Sequence, residues 1–414
     1  MNGVTLDTIV EANKRLTGKV EHTPLQFNPQ LSAAFGANIC LKREDLQHIR
    51  SYKLRGALNR MMDLSSGEMS EGVVAASAGN HSQAVSYSCN YLGITWTIFM
   101  PRTTPRQKVE ATSSFGNGLV TLNLVGDDFD EAYAEALEYS NSKGLTFIHP
   151  FNDPKVISGQ GTVGLEIHSD SKEHIDYLLV PIGGGGLISG IGTAMQSLSP
   201  ATTLIGVEQE EASAMHDSLR AGQLISLGDY SHFVDGTAVR RVGELTFSIG
   251  QKLGYEVVLV PEGGVCTSVI DLYKQGIVAE PAGALSVAAL SELGDKIRGK
   301  NVVCVLSGGN NDFDRLAEIR ERSLIHEGLK HYFIVEFPQR PGALRQFLDS
   351  ALGPNDDITR FEYTKRTASE SGPALVGIQL KDRADYDPLK EKFRQVGFKF
   401  EEVSTNPMFM KYFL

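Results

Sequence analysis

The sequence predicts an α/β protein, with open parallel sheets covered by helices and a smaller α+β domain of ferredoxin-like order after them. Three observations carry this. From about residue 40 to 312, short β-branched runs alternate with helix-like segments, which is the pattern of parallel sheets with crossover helices. Composition changes near residue 322, and the rest of the chain reads strand, helix, strand, strand, helix, strand, the ferredoxin-like sequence of elements. With 414 residues the chain exceeds what one compact core holds, so two or three domains are expected.

The elements follow in order. Val73–Ala76, Thr95–Met100, Leu119–Leu122, Tyr177–Ile182, Leu204–Val207 and Val302–Leu306 are strands by length and β-branching. Asp130–Lys143 is an amphipathic helix stopped by Gly144. Further on, Lys330–Phe337 reads as a strand, and Pro341–Leu344 opens a helix running to about Ala351. Ile358–Lys365 and Ala374–Leu380 are strands, Asp387–Val396 is a helix, and Phe398–Val403 is the last strand. The loops at Ser77, Gly183 and Ser307 each follow a strand. Ligands in parallel sheets bind at the carboxyl ends of strands, so these loops are expected to share one site.

Bulk properties narrow the function. A net charge of −11 with no Lys/Arg run argues against a nucleic-acid surface. Cys40, Cys89, Cys266 and Cys304 are scattered, with no C-x-x-C pair. They read as buried thiols of a reducing compartment. Asp7 and Glu11 stand where a signal peptide would be basic then apolar, and no apolar run has membrane-spanning length. A cytoplasmic protein is expected, with no membrane partner.

Two segments point to chemistry. Gly183, Gly184, Gly185 and Gly186 lie between a strand and the helix beginning near Leu187. Glycines there let the backbone turn sharply and aim N–H groups at one anion, and the helix end adds partial positive charge. Dinucleotide binding is the nearest rival, with Glu208 at about the spacing of a ribose ligand. The fingerprint fails, because its last glycine falls on Ile188 or Ser189. Lys53, between Tyr52 and Leu54 at a helix start, is the second signal. Apolar surroundings lower an amine's pKa, and only the neutral amine attacks a carbonyl. An aldehyde that is also a phosphate ester would use both segments: pyridoxal 5'-phosphate.

The chain resembles the fold-type II pyridoxal-phosphate enzymes, specifically the threonine ammonia-lyases (threonine dehydratases). Matching segments run in order: Lys42–Gln47, Ser51–Ala57, Ser77–His81, Met100-Pro101, His149–Asp153, the glycine tetrad, Gly206–Glu208, Asp235–Val239, Glu280–Ala284 and Ser307–Asn310. They cover nearly all of residues 20–312. Tyr52 departs from the phenylalanine of many relatives but keeps the ring. The resemblance implies a catalytic region over 1–322, with a small subdomain at roughly 48–149, and an ACT-like regulatory domain over 326–414. Arg340–Leu344 is the main specific match in that last part.

The resemblance also implies roles. Lys53 anchors the cofactor and acts as base, Asn80 meets its phenolic oxygen, and Ser307 faces its pyridine nitrogen. Ser77, Ala78, Gly79 and His81 hold the substrate carboxylate, with no acid–base role for His81. Glu280 and Gly283 lie beside the ring. Racemases of the fold have serine where this chain has Ala78. Some relatives bind a divalent metal after the Gly-Val-Glu strand, but Ala214 replaces the second carboxylate, so none is expected here. L-threonine with L-serine as the alternative substrate, isoleucine and valine as effectors, and a homotetramer complete what the resemblance implies. The rivals are a serine racemase or dehydratase, a β-replacing synthase, and a cofactor-binding amino-acid sensor.

Overall fold

The computed structural model describes residues 3–363, 370–406 and 408–409. Contacts divide the chain into two compact units, Met1–Asp312 and Phe313–Leu414. The strands of the first unit are, in chain order, β1 (Leu25–Phe27), β2 (Asn38–Arg43), β3 (Val73–Ala76), β4 (Trp96–Met100), β5 (Val120–Leu124), β6 (Thr146–Phe147), β7 (Tyr177–Pro181), β8 (Thr203–Gln209), β9 (Glu256–Val260) and β10 (Asn301–Leu306).

They form two sheets. The larger has the order β1-β2-β10-β7-β8-β9 and the smaller β5-β4-β3-β6. Every pairing is parallel except β1 with β2. The three-residue β1 lies at the sheet edge and reaches its antiparallel partner β2 through the short helix Pro29–Phe35. All four residues of β3 are buried, as a central strand covered on both faces requires. Each sheet has its own core: Leu54, Leu58, Val85 and Trp96 are in the smaller cluster, and Leu178, Ile188, Ile191 and Val305 in the larger.

A charged cluster sits inside this apolar unit. Arg55 is fully buried. Its guanidinium donates to Glu44 at 2.8 and 2.9 Å and to Glu166 at 2.6 and 2.8 Å. Lys42, also fully buried, donates to Glu166 at 2.6 Å. The cluster ties β2 to the helices Lys53–Met61 and Pro154–Asp170. It therefore fixes the helix that begins at Lys53. Cys89, Cys266 and Cys304 are buried, while Cys40 is half-buried.

The second unit has β11 (Lys330–Pro338), β12 (Asp357–Tyr363), β13 (Ser371–Gln379) and β14 (Lys399–Glu402). Their order is β12-β13-β11-β14 and all pairings are antiparallel. Helices Ala343–Ser350 and Tyr386–Val396 complete the βαββαβ order. The strand expected to reach Lys365 is described only to Tyr363, and Lys365 itself lies outside the described residues. A phenylalanine-rich core, with Phe333, Phe347 and Phe393 fully buried, holds sheet and helices together. The helix Leu316–His326 joins this unit because its Glu321 accepts from Lys330 Nζ at 2.5 Å and Tyr332 OH at 2.6 Å. Among the described residues no helix is long and apolar enough to cross a membrane.

Candidate active site

The expected loops open at the carboxyl ends of β3, β7 and β10. Lys53 is the first residue of its helix. The chain entering it is held on the Ser307 loop: Ser51 bridges Gly308, and Tyr52 N–H donates to Ser307 C=O at 3.2 Å. This puts the lysine and the serine side by side although they are far apart in sequence. Lys53 Nζ donates to the Pro150 carbonyl at 3.0 Å. Desolvation brings its pKa down to about 8, opposed by the carboxylate of Glu280. An amine so placed is neutral far more often at physiological pH than a surface lysine.

Asn80 opens the helix Asn80–Leu92. Its Nδ2 donates to Glu280 Oε1 at 2.6 Å, and its Oδ1 accepts from Asn310 Nδ2 at 2.7 Å. Glu280 in turn donates its backbone N–H to Gly308 C=O at 3.2 Å. Desolvation, with Asp235 adding repulsion, raises the Glu280 pKa to about 7 despite the Asn80 hydrogen bond. Ser307 Oγ donates to the Ala282 carbonyl at 3.3 Å. Lys53, Asn80, Ser307 and Glu280 thus belong to one continuous cluster.

The Ser77 loop lies at the start of the Asn80 helix. Ser77 Oγ accepts the Gly79 N–H at 3.1 Å, and the space before the Gly79 Cα is open to 4 Å. Ala78 and Gly79 are half-buried. His81 is buried, and its Nε2 pairs with the Ile148 carbonyl at 2.8 Å. Desolvation, then the Lys53 ammonium, holds its pKa at about 3. The ring is neutral and its Nε2 proton is committed to a carbonyl, so it has no proton to exchange with a substrate.

The glycine tetrad leads from β7 into the helix Gly186–Leu198. Side chains are excluded from its back. A Cβ on Gly184 would lie 2.2 Å from the Phe151 ring. Gly185 has a left-handed φ of 88°, which a side chain would strain. Thr246 Oγ1 pins the turn by donating to Gly184 C=O at 2.7 Å. No side chain caps the helix, and the first N–H groups of a helix have no intrahelical acceptor. The Ser189 hydroxyl in its first turns is buried without a hydrogen-bond partner among the described residues. An anion at this end would satisfy these donors. The glycine loop therefore fits a phosphate, and the Lys53 amine fits an aldehyde.

The metal-like segment has a different use. Glu208 accepts the Met215 and His216 N–H groups at 2.9 and 2.8 Å, capping the helix Ala214–Ala221. Among the described residues no group of His, Cys, Asp and Glu is arranged to hold a metal. Three participants had no role in the sequence pattern. They are Asn310, the Pro150 carbonyl, and the Lys108–Asp235 ion pair near Glu280. Asn310 and Pro150 lie inside matching motifs, which was the available signal. Asp235 lies inside one too, and only its pairing with Lys108 depends on folding alone.

Fold and site meet in known proteins. Residues 16–308 match the family described as pyridoxal-phosphate dependent enzyme. Residues 321–413 match the C-terminal regulatory domain of threonine dehydratase. The biosynthetic L-threonine dehydratase IlvA of Halalkalibacterium halodurans is 52% identical over 407 residues, 98% of each chain. That of Bacillus subtilis is 53% identical over 399 residues, 96% of this chain and 94% of its own. A threonine deaminase structure from Solanum lycopersicum superposes with a TM-score of 0.73 at 40% identity, covering 77% of this chain and 87% of its own. Maize serine racemase superposes with a TM-score of 0.71 at 30% identity, over 78% of this chain and 99% of its own. The class is thus a fold-type II pyridoxal-phosphate enzyme with a regulatory domain. Within that class, the chain belongs to the family of biosynthetic L-threonine dehydratases.

Proposed function

We propose that the chain deaminates L-threonine to 2-oxobutanoate and ammonia, the first committed step of isoleucine biosynthesis, with Lys53 as both cofactor anchor and base. The observation carrying this is the half-buried Lys53 amine, of pKa about 8, in one cluster with Asn80 and Ser307. The glycine loop at Gly183–Gly186 would hold the cofactor phosphate through backbone N–H groups. Asn80 would meet the phenolic oxygen and Ser307 the pyridine nitrogen. Bound there, pyridoxal phosphate supplies the electron sink for charge developing at Cα.

The chain's own residues do the rest. The open space before Gly79 receives the substrate carboxylate, with Ser77, Ala78 and His81 lining it. The N-terminal end of the Asn80 helix favours that negative charge. Lys53 Nζ accepts the Cα proton, for which a neutral amine is required. The Pro150 carbonyl holds the amine when it is free. Ser307 is neutral, so it leaves the pyridine nitrogen less basic than a carboxylate partner would. That weakens the sink and favours prompt loss of the β-hydroxyl over a long-lived carbanion. The eliminated product then hydrolyses to the oxo acid.

The second unit would carry feedback control, with isoleucine as inhibitor and valine as antagonist, in a cytoplasmic homotetramer. Serine racemisation is the second reading, favoured by the maize superposition. Ala78 speaks against it, since an alanine gives no proton to the opposite face of Cα. The test is a 2-oxo acid assay on the full-length protein with L-threonine, with and without L-isoleucine. Equimolar 2-oxobutanoate and ammonia, suppressed by isoleucine, are expected. No oxo acid from threonine would refute the activity. Turnover indifferent to isoleucine would refute the control.

A further inference from the structure

The segment after β6 touches several parts of the site. The Ile148 carbonyl pairs with His81 and the Pro150 carbonyl with Lys53. The Phe151 ring fills the space behind Gly184, and its backbone backs Gly186. Asn152 Oδ1 accepts the Leu245 N–H at 2.9 Å. No sheet ladder fixes residues 149–152, so their shape has to come from elsewhere.

One side chain folds back on the segment itself. His149 Nδ1 accepts the N–H of Phe151 at 3.2 Å and that of Asn152 at 2.9 Å. We infer that His149 is a positioning residue, whose Nδ1 sets the turn that brings the Pro150 carbonyl to Lys53 Nζ and the Phe151 ring behind the phosphate-binding glycines. The inference rests on the proposed role of Lys53.

The arrangement is that of an Asx turn with imidazole in place of the side-chain amide. Nδ1 has the same reach from Cβ as the Oδ1 of asparagine, which commonly accepts N–H groups two and three residues on. The acceptor must be unprotonated. The ring packs edge-on against Phe151, Tyr133 and Phe147, with centroids 4.7, 5.9 and 6.2 Å away. Lys53, His81 and Tyr133 are the titratable groups facing it. Desolvation first, and the Lys53 ammonium second, hold its pKa at about 4. At neutral pH the ring is thus uncharged, and the two backbone N–H groups on Nδ1 select the tautomer with its proton on Nε2, which leaves Nδ1 as the acceptor.

A packing role and an acceptor role make opposite demands on a replacement. His149→Phe keeps a ring and loses the acceptor. His149→Asn loses the ring and keeps the acceptor. The readouts are the pyridoxal-phosphate dissociation constant of the full-length protein and the pH midpoint of cofactor capture, with circular dichroism to verify folding. His149→Phe is expected to weaken cofactor binding about tenfold to a hundredfold, the scale on which misplacing a reacting group by an ångström acts, and to shift the capture midpoint. His149→Asn is expected to stay close to the parent in both. A folded His149→Phe with parental affinity and midpoint overturns the inference. So does a folded His149→Asn as impaired as the phenylalanine variant. If His149→Phe does not fold, His149→Asn decides alone, retained affinity supporting the inference and lost affinity overturning it. Turnover of L-threonine by the parent protein in the same preparation reports separately on the proposed function.

Discussion

Lys53 and Arg55 occupy the same turn of one helix, and the fold treats their charges in opposite ways. Arg55 is enclosed by Glu44 and Glu166, each bound through both carboxylate oxygens. Burial alone would disfavour its charge, but the two carboxylates outweigh that and raise its pKa. The same pairing holds Glu166 below the usual carboxylate range against the cost of its own burial. Among the described residues Lys53 has no carboxylate within bonding distance; it donates to the Pro150 carbonyl, and its pKa falls to about 8. A buried charge that is fully paired is frozen and serves the architecture. A desolvated amine that is not paired can gain and lose a proton, and serves the chemistry.

The contrast breaks most visibly at the lysine. Lys53→Ala should abolish both the visible absorption of the lysine-bound cofactor and steady-state deamination of L-threonine, while leaving the fold intact. Absorption spectra and an oxo acid assay check this. Parental turnover in that variant would move the base elsewhere.

Arg55→Ala should do the converse, lowering stability first. It leaves the buried Glu44 without its guanidinium, while Glu166 keeps only Lys42, a loss on the order of 3–5 kcal/mol. Trp96, the sole tryptophan, is buried in the smaller sheet and reports unfolding of this unit. Denaturant titration of its fluorescence measures the change. Arg55→Lys should recover only part of it, because an ammonium cannot bind two carboxylates through a planar fork. A fully stable alanine variant would mean that the cluster does not hold the helix in place.

The smallest effect expected concerns stereochemistry. If Lys53 is the base and Ala78 offers no proton on the other face, L-serine should give pyruvate with little D-serine. Chiral chromatography checks it. D-serine formed as fast as pyruvate would reveal a second proton carrier and blur the contrast.

The active side of this comparison was legible in the sequence, and the architectural side was not. Lys53 and the glycine tetrad stand at a helix start and a strand-to-helix turn, which local pattern marks as candidates, whereas Asn80 and Ser307 become candidates only through the family resemblance. The strand β3 was readable because its four residues are β-branched or small and uniformly buried. The run Lys42-Arg43-Glu44-Asp45 closes β2 with its first two residues and opens a short 3-10 turn with the last two, all buried, a place the sequence does not reveal because charges usually mark a solvated surface. Its burial depends on Arg55 and Glu166 arriving from distant helices. The His149 turn was hidden for the same reason: a histidine's acceptor role is set by the backbone that folds back on it. The division of the chain after Asp312, ahead of the composition change near residue 322, reflects Glu321 reaching Lys330 and Tyr332.

A desolvated Lys53 held by no carboxylate should show itself in the pH dependence of cofactor capture, which measures it directly. Protein stripped of pyridoxal phosphate would be mixed with fresh cofactor across a pH series, and the return of visible absorption followed. The neutral amine is the competent form, so the rate should rise with pH and level off above a midpoint near the Lys53 pKa of about 8. A rate still climbing beyond pH 10, as for an ordinary lysine of pKa about 10.4, would contradict it.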